Sequence, residues 1–390
     1  MSTTTTTPGT PGWLRARNDR VALALLLEHG PLTRNRIGEL SGLSKPTAAQ
    51  MVARLESAGL ISVVGEASNG RGPNAALYGV RDDRMRGVAI DISTSVTTST
   101  IVDASGAPHP TVQTSLPPND RSPEADVRGA LEAAAAAAGI DPASVRIVCV
   151  GVQAATSDSG ERLSFTDTLP GWPEVGARAR IEAALGVDVL IDNDVNLAAI
   201  AERAVGATRD AASFALLWIG DGLGVSVDLG GSVHRGASGG AGEIGYLSVP
   251  REAAALAPNA GDLTDLIGGD AVAGILRSHG ATGDNLTELL SGLATNTAAL
   301  AELAPRVALG VLPVLAVLDP DVVVLGGPTG SAGGAALASL VEEQVLTLSR
   351  WRPAVVTTGV AEHPVLAGAR ELLLGEIRAR LHQDVNSLVS

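Results

Sequence analysis

Lys45, Thr47, Gln50 and Arg54 place within ten residues the side-chain types that contact a DNA duplex. Lysine and arginine suit phosphates or guanine, and glutamine suits adenine. The threonine side chain suits a phosphate or a thymine methyl group. Lys45 is the only lysine among the 28 Lys and Arg residues of the chain. Arg71, flanked by Gly70 and Gly72, is placed to reach a minor groove or a phosphate. The same residues on a small protein-interaction domain form a solvated polar face, so the elements that carry them decide between the two readings.

Those elements are three helices and a hairpin. Residues 13–29 set Leu14, Val21, Leu25 and Leu26 near helical spacing and stop at Gly30. Thr33 caps a short helix that runs to Leu40, with Ile37 and Leu40 inward. After the turn Ser41-Gly42-Leu43, Ser44 caps a third helix. Pro46 is tolerated there because the first turn's N–H groups lack helical partners. Ala48, Val52 and Leu55 form its buried stripe, and Gly59 ends it. Residues 60–64 and 75–80 read as paired strands with 69–74 at the tip. This is a winged helix-turn-helix over residues 12–84, the kind of module whose third helix lies in the major groove. Residues 1–11 carry neither charge nor an apolar stretch and read as a disordered tail, not a signal peptide.

Charge divides the chain in the same way. Residues 12–86 have a net charge of +4 and the remainder −18, giving −14 in total. A basic module is drawn to phosphates and an acidic body is repelled, which assigns DNA contact to the first module. The single cysteine, Cys149, precludes an internal disulfide and a cysteine-cluster metal site; within the apolar run 145–150 it reads as a buried strand residue. Uncharged runs of about 18 residues with the hydrophobicity of a membrane span are not found, so a cytoplasmic protein without a membrane partner is expected. From Arg86 onward strands alternate with helices, which implies an α/β body in two lobes.

Asn193-Asp194 follows the strand Val187–Asp192. A carboxylate can accept a hydroxyl's proton, and an amide both donates and accepts across neighbouring hydroxyls. An Asn-Asp pair at a strand end serves equally as a turn or a helix cap. The residue types alone leave both roles open.

The order of these pieces resembles the ROK family, which holds bacterial sugar kinases and sugar-responsive repressors. The resemblance is carried by Leu55-Glu56-Ser57-Ala58-Gly59-Leu60-Ile61 in the first module. In the body it is carried by Leu169-Pro170-Gly171-Trp172, Asp192-Asn193-Asp194-Val195-Asn196, the glycine-rich run from Gly239 to Tyr246, and Asp319 to Gly327. It implies an actin-like, hexokinase-like body over residues 85–390. One lobe would take roughly 85–192 with the C-terminal helix, and the other 193–362. It also implies sugar contacts from Asn193, Asp194 and Glu243, with Asp265 about where the family has another sugar-binding glutamate. In the family's kinases the aspartate of the Asn-Asp pair is also the general base. Tyr246 stands where the family has a zinc-holding histidine, and residues 258–265 lack its three cysteines, so a sugar contact from Tyr246 and no metal are expected. The loop from Gly151 to Thr156 replaces a Pro-Gly-containing loop that lines the family's pocket, so a relative's sugar does not simply transfer.

The resemblance weakens at the phosphate loops. Kinases of the family carry an Asp-x-Gly-Gly-Thr-like loop; here it reads Asp91-Ile92-Ser93-Thr94-Ser95, and the added side chains obstruct phosphate approach. The second loop, Gly-Thr-Gly in the kinases, reads Gly220-Asp221-Gly222. A carboxylate about 4 Å from a phosphate charge repels it by roughly 1–4 kcal/mol. The chain is therefore expected to have no catalytic residues and no cofactor, and to act as a repressor of carbohydrate genes. Its expected partners are a double-stranded DNA operator, a sugar-like effector and a second copy of itself. A homodimer or higher homo-oligomer is expected because paired recognition helices read palindromes. The alternatives are an active ROK sugar kinase with a DNA-binding module and a ligand-independent regulator.

Overall fold

Two hydroxyl caps start the helices of the amino-terminal module, as their residue types predict. The computed structural model describes residues 11–67, 74–157, 160–165 and 169–387, so the expected tail and the wing tip with Arg71 fall outside it. Helix α1 is Pro11–His29, α2 is Arg34–Ser41 and α3 is Lys45–Ser57. Thr33 Oγ1 accepts the Arg36 amide at 3.2 Å, and Ser44 Oγ accepts the Thr47 amide at 3.4 Å. Strands β1 (Leu32–Thr33), β2 (Ile61–Ala67) and β3 (Ala75–Val80) form a small antiparallel sheet in the order β1-β3-β2.

The inward stripe of α1 differs from the one its spacing predicts. Leu14 and Val21 are 45% and 37% exposed, whereas Ala16, Asp19, Ala22, Leu23 and Leu26 are buried. The cause is an ion pair. Fully buried Asp19 accepts Arg54 Nε at 2.8 Å and Nη2 at 2.6 Å, so α1 turns its Asp19 face toward α3.

The body holds two five-stranded sheets. The first comprises β4 (Arg86–Ile92), β5 (Val96–Asp103), β6 (Val112–Ser115), β7 (Val145–Val152) and β10 (Asp188–Asn193) in the order β10-β7-β4-β5-β6. Strand β7 pairs in parallel with β4 and β10, which explains its nearly unbroken apolar run and the burial of Cys149. A short hairpin, β8 (Ala155–Thr156) and β9 (Leu163–Ser164), follows β7. Helices α4 (Pro123–Ala138), α5 (Ala177–Leu185) and α6 (Asp194–Val205) flank this sheet. The second sheet has the order β13-β12-β11-β14-β15. Its strands are β11 (Ser213–Ile219), β12 (Leu223–Leu229), β13 (Ser232–Val233), β14 (Val322–Gly326) and β15 (Ala354–Thr357). Its core is completed by α7 (Leu263–Ile267), α8 (Gly269–Ser278), α9 (Leu286–Leu289), α10 (Thr297–Leu318) and α11 (Gly327–Leu348). Among the described residues α10 is the one helix with the length and hydropathy of a membrane span; its Leu303, Val307, Val311 and Val314 are buried in this core.

The last helix, α12 (Pro364–Ser387), joins the parts. It crosses α6 so closely that a Cβ at Gly368 would lie 1.7 Å from the Leu197 carbonyl oxygen. Leu373, Ile377 and Leu381 of α12 share one buried cluster with Leu197 of α6 and with Leu23 and Leu26 of α1. Arg84 adds an ion pair to Asp384 at 3.5 Å. The approach to α12 is held by Glu202, which is fully buried near the end of α6. Its carboxylate accepts the amides of Ala207 and Gly359 at 2.8 Å and of Val360 at 3.2 Å, and it also accepts the Thr358 hydroxyl.

Replacing Glu202 with alanine leaves these part-buried donors without their shared acceptor and is expected to cost about 2 kcal/mol. Calorimetric unfolding measures it; a loss below about 1 kcal/mol would contradict the role given to this carboxylate.

Candidate functional site

Asn193, Asp194, Glu243, Tyr246 and Asp265 line a single cleft of about 410 Å³. Asn193 closes β10 and caps α6. Its Oδ1 accepts the Asn196 amide at 3.1 Å, and its Nδ2 donates to the Ala154 carbonyl at 3.1 Å. The cap and the cleft position therefore belong to one residue. Asp194 opens α6, with Oδ1 accepting the Val195 amide at 2.9 Å. Glu243 is delivered by the glycine-rich run before it. Gly242 has φ +94°, and a Cβ there would sit 1.7 Å from the Val225 carbonyl oxygen, so glycine is required. Asp265 lies at the rim, where its carboxylate accepts the Gly261 amide and its amide donates to Asp262 Oδ1, both at 2.9 Å. Asp262 is the N-cap of α7, and Asp265 in the first turn of that helix borders the cleft beside it.

The cleft contains residues that the sequence reading did not name as contacts. Trp218, at the end of β11, and Phe165, just after β9, both line it, as do Gln153, Asp221 and Asp262. Asp221 and Gln153 were visible as departures from family loops. A bulky residue before Gly220 was the available signal for Trp218. Phe165 carried none.

Burial sets the electrostatics. The Asp194 carboxyl is pushed up to about 7, first by burial and then by the charge of Asp91, with Glu243 adding to it. Burial likewise lifts Asp91 to about 7 and raises Glu243. The Asp91 charge thus acts on Asp194 in the same direction as its burial. A carboxyl poised near neutrality can donate to or accept from a sugar hydroxyl. Asp194, Asp221, Glu243, Asp262 and Asp265 line the cleft, and among its described lining residues there is no Lys, Arg or His. Such a wall disfavours anionic ligands.

The first phosphate-loop position is a closed turn. Ser93 Oγ donates to the Val96 carbonyl at 2.9 Å and accepts the Val96 amide at 3.2 Å. Behind it, Arg121 Nη1 donates to the Thr94 carbonyl at 2.7 Å. Buried Asp126 holds both Arg121 and the Trp172 indole N–H, the latter at 2.9 Å. Trp172 of the Leu169–Trp172 motif is therefore tied to this turn by hydrogen bonds through Asp126 and Arg121. At the second position Gly220 N donates to Gly222 O at 3.0 Å, leaving Asp221 exposed at the tip.

An interlobe ion pair borders the site. Asp192, at the end of β10, accepts Arg235, with Nε to Oδ1 at 3.2 Å. A larger cavity of about 720 Å³ lies beyond that pair, between β10 and β13, and none of the expected sugar residues lines it. Its Arg203 and Arg235 are paired with Asp228 and Asp192.

On the amino-terminal module, Lys45 and Gln50 are exposed near the start of α3. Thr47 is half-buried, with Oγ1 2.9 Å from Ser44 Oγ. Arg54 corrects the sequence reading: its guanidinium is held by Asp19 and fastens α3 to α1 instead of standing free one turn beyond Gln50. The Asp19 charge also raises its pKa through that hydrogen-bonded contact.

These features define a winged helix-turn-helix joined to a two-lobed α/β body of the sugar-kinase type. The chain belongs to the ROK family, whose profile matches residues 87–376; a MarR family profile matches residues 17–72. A relative from Caldicellulosiruptor sp. (strain Rt8B.4) that carries a xylose-repressor name is 22% identical over 354 residues, covering 85% of this chain and 88% of its own. The fold is shared with a solved ROK family transcriptional regulator, a homologue of the E. coli MLC protein. That likeness has a TM-score of 0.65 at 17% identity over 96% of this chain and 98% of the other. It is shared also with a ROK family glucokinase from Streptomyces griseus solved with glucose and AMPPNP, at TM-score 0.59 and 21% identity over 74% of this chain and 98% of that one. Repressor and kinase relatives thus share this body.

Asp91 and Asp194 bind protons more tightly folded than unfolded, so their contribution to stability falls as pH rises from about 4 to about 7. One carboxyl displaced that far costs up to about 4 kcal/mol when ionised. Asp194→Asn is therefore expected to raise the melting temperature at pH 8, to change it little at pH 4, and to flatten the slope between. Equal destabilisation at both pH values would contradict this.

Proposed function

We propose that this protein is a sequence-specific DNA-binding regulator, a repressor of carbohydrate genes, whose cleft takes a sugar or sugar derivative. The observation that carries this reading is the shared seat on α12: the helix that begins with Asp194 and the first helix of the winged module both pack against it. A ligand that prefers one arrangement of the lobes can therefore bias the placement of α3. It can shift DNA affinity only by as much as its preference between the two arrangements. Lys45, Thr47 and Gln50 are the proposed groove contacts, with Arg71 at the wing; Asn193, Asp194, Glu243, Tyr246 and Asp265 are the proposed sugar contacts. Two copies of the chain would present two α3 helices to a palindromic operator. The repressor names of relatives support this reading, and so does the obstruction of both phosphate loops.

A sugar-kinase activity is the second reading, favoured by one observation: the Asp194 carboxyl held near neutrality suits a general base. Against it stand the closed Ser93–Val96 turn and the acid at position 221.

Lys45→Ala is expected to weaken binding to the operator and to lower the slope of log affinity against log salt by about one. Mobility shifts at several salt concentrations measure both, and an unchanged slope and affinity would remove Lys45 from the contact set. In parallel, ATP consumption across a sugar panel is expected to stay at background; turnover abolished by Asp194→Asn would establish the kinase instead.

A further inference from the structure

Phe165 and Tyr246 are two of only four Phe and Tyr residues in the chain, and they meet at the cleft. Phe165 follows β9 beside the first sheet. Tyr246 closes a single helical turn, Ile244–Tyr246, in the second lobe. Their rings stack with centroids 5.0 Å apart and planes at 29°. Neither belongs to a core, since Phe165 is 47% exposed and Tyr246 61%. Phe165 also has φ +58°, a left-handed conformation that bulky side chains rarely adopt. Strain of this kind persists where the surroundings hold it, and it concentrates at ligand-binding positions.

The space beside the pair is larger than one sugar needs. A pyranose displaces roughly the volume of six waters, about 180 Å³. The cleft holds about 410 Å³, which leaves room for a second ring. Asn193, Asp194 and Glu243 line it with polar groups for hydroxyls, and the aromatic pair lines it as well. A pyranose has polar edges and apolar C–H faces, and those faces pack on aromatic surfaces.

We propose that Phe165 and Tyr246 form an aromatic subsite for the second ring of an uncharged glycoside, a disaccharide or an aryl glycoside. The proposal rests on the reading that the cleft binds a sugar, and it narrows that ligand to two rings without phosphate or carboxylate. The first ring's hydroxyls meet the acidic lining. The second ring packs against the stacked pair and so touches both lobes.

Calorimetric titration of the full chain tests this with xylose and glucose against xylobiose, cellobiose, maltose and the 4-nitrophenyl β-glycosides of xylose and glucose. A two-ring probe is expected to bind at least about tenfold more tightly than its monosaccharide. Phe165→Ala should remove about tenfold of the two-ring affinity and leave monosaccharide affinity within about twofold, and Tyr246→Ala should weaken two-ring binding at least about tenfold and more than it weakens monosaccharide binding. Tyr246→Phe, which keeps the ring, should retain two-ring binding, separating ring loss from misfolding. If monosaccharides bind as tightly as two-ring probes, or if the alanine variants weaken both alike, the subsite falls and the sugar reading stands. If no probe of either size binds, the sugar reading falls and takes the subsite with it.

Discussion

The close crossing of α12 over α6 is the contact on which the rest of the architecture depends. At Gly368 the two backbones come nearer than any side chain would allow. That crossing sets α12 across the first sheet, and the far end of α12 then receives the winged module. Glu202 holds the other end of the arrangement by gathering donors from the segment that leads into α12. The cleft acid at the start of α6 and the cap at the start of α3 are thereby parts of one packed assembly, although 150 residues separate positions 44 and 194. Packed interiors transmit displacement because they have little free volume to absorb it.

Electrostatics divides the molecule as firmly as packing joins it. The cleft concentrates carboxylates, and burial pushes Asp194 among them up to about 7 and raises Glu243 as well. This arrangement welcomes hydroxyls and resists polyphosphate. The Ser93–Val96 turn is closed by the serine side chain and the Gly220–Gly222 turn carries an exposed acid, so both turns present side chains that disfavour a phosphate.

Much of this was legible in residue order because it is local. Thr33 and Ser44 cap helices through bonds three residues long, and a hydroxyl before a helical run announces that geometry. The cleft residues were legible through motif order, since each follows a strand end or a glycine-rich turn. Nonlocal pairings were not. Arg54 looked free because its partner, Asp19, lies on another helix, and that buried acid also displaced Leu14 and Val21 from the expected stripe. Phe165 was silent for the same reason: its meaning comes from Tyr246, 81 residues away in sequence and on the opposite lobe. Trp172 announced itself as a motif but gave no hint that its indole serves Asp126 and the turn behind the cleft.

The lone lysine has a chemical corollary. Arginine supplies every other basic side chain of this type, and guanidinium groups do not react as primary amines. Acylation of ε-amino groups therefore has one address in this chain: the exposed opening residue of α3. An acetyl group there would cancel a positive charge without disturbing a single buried contact.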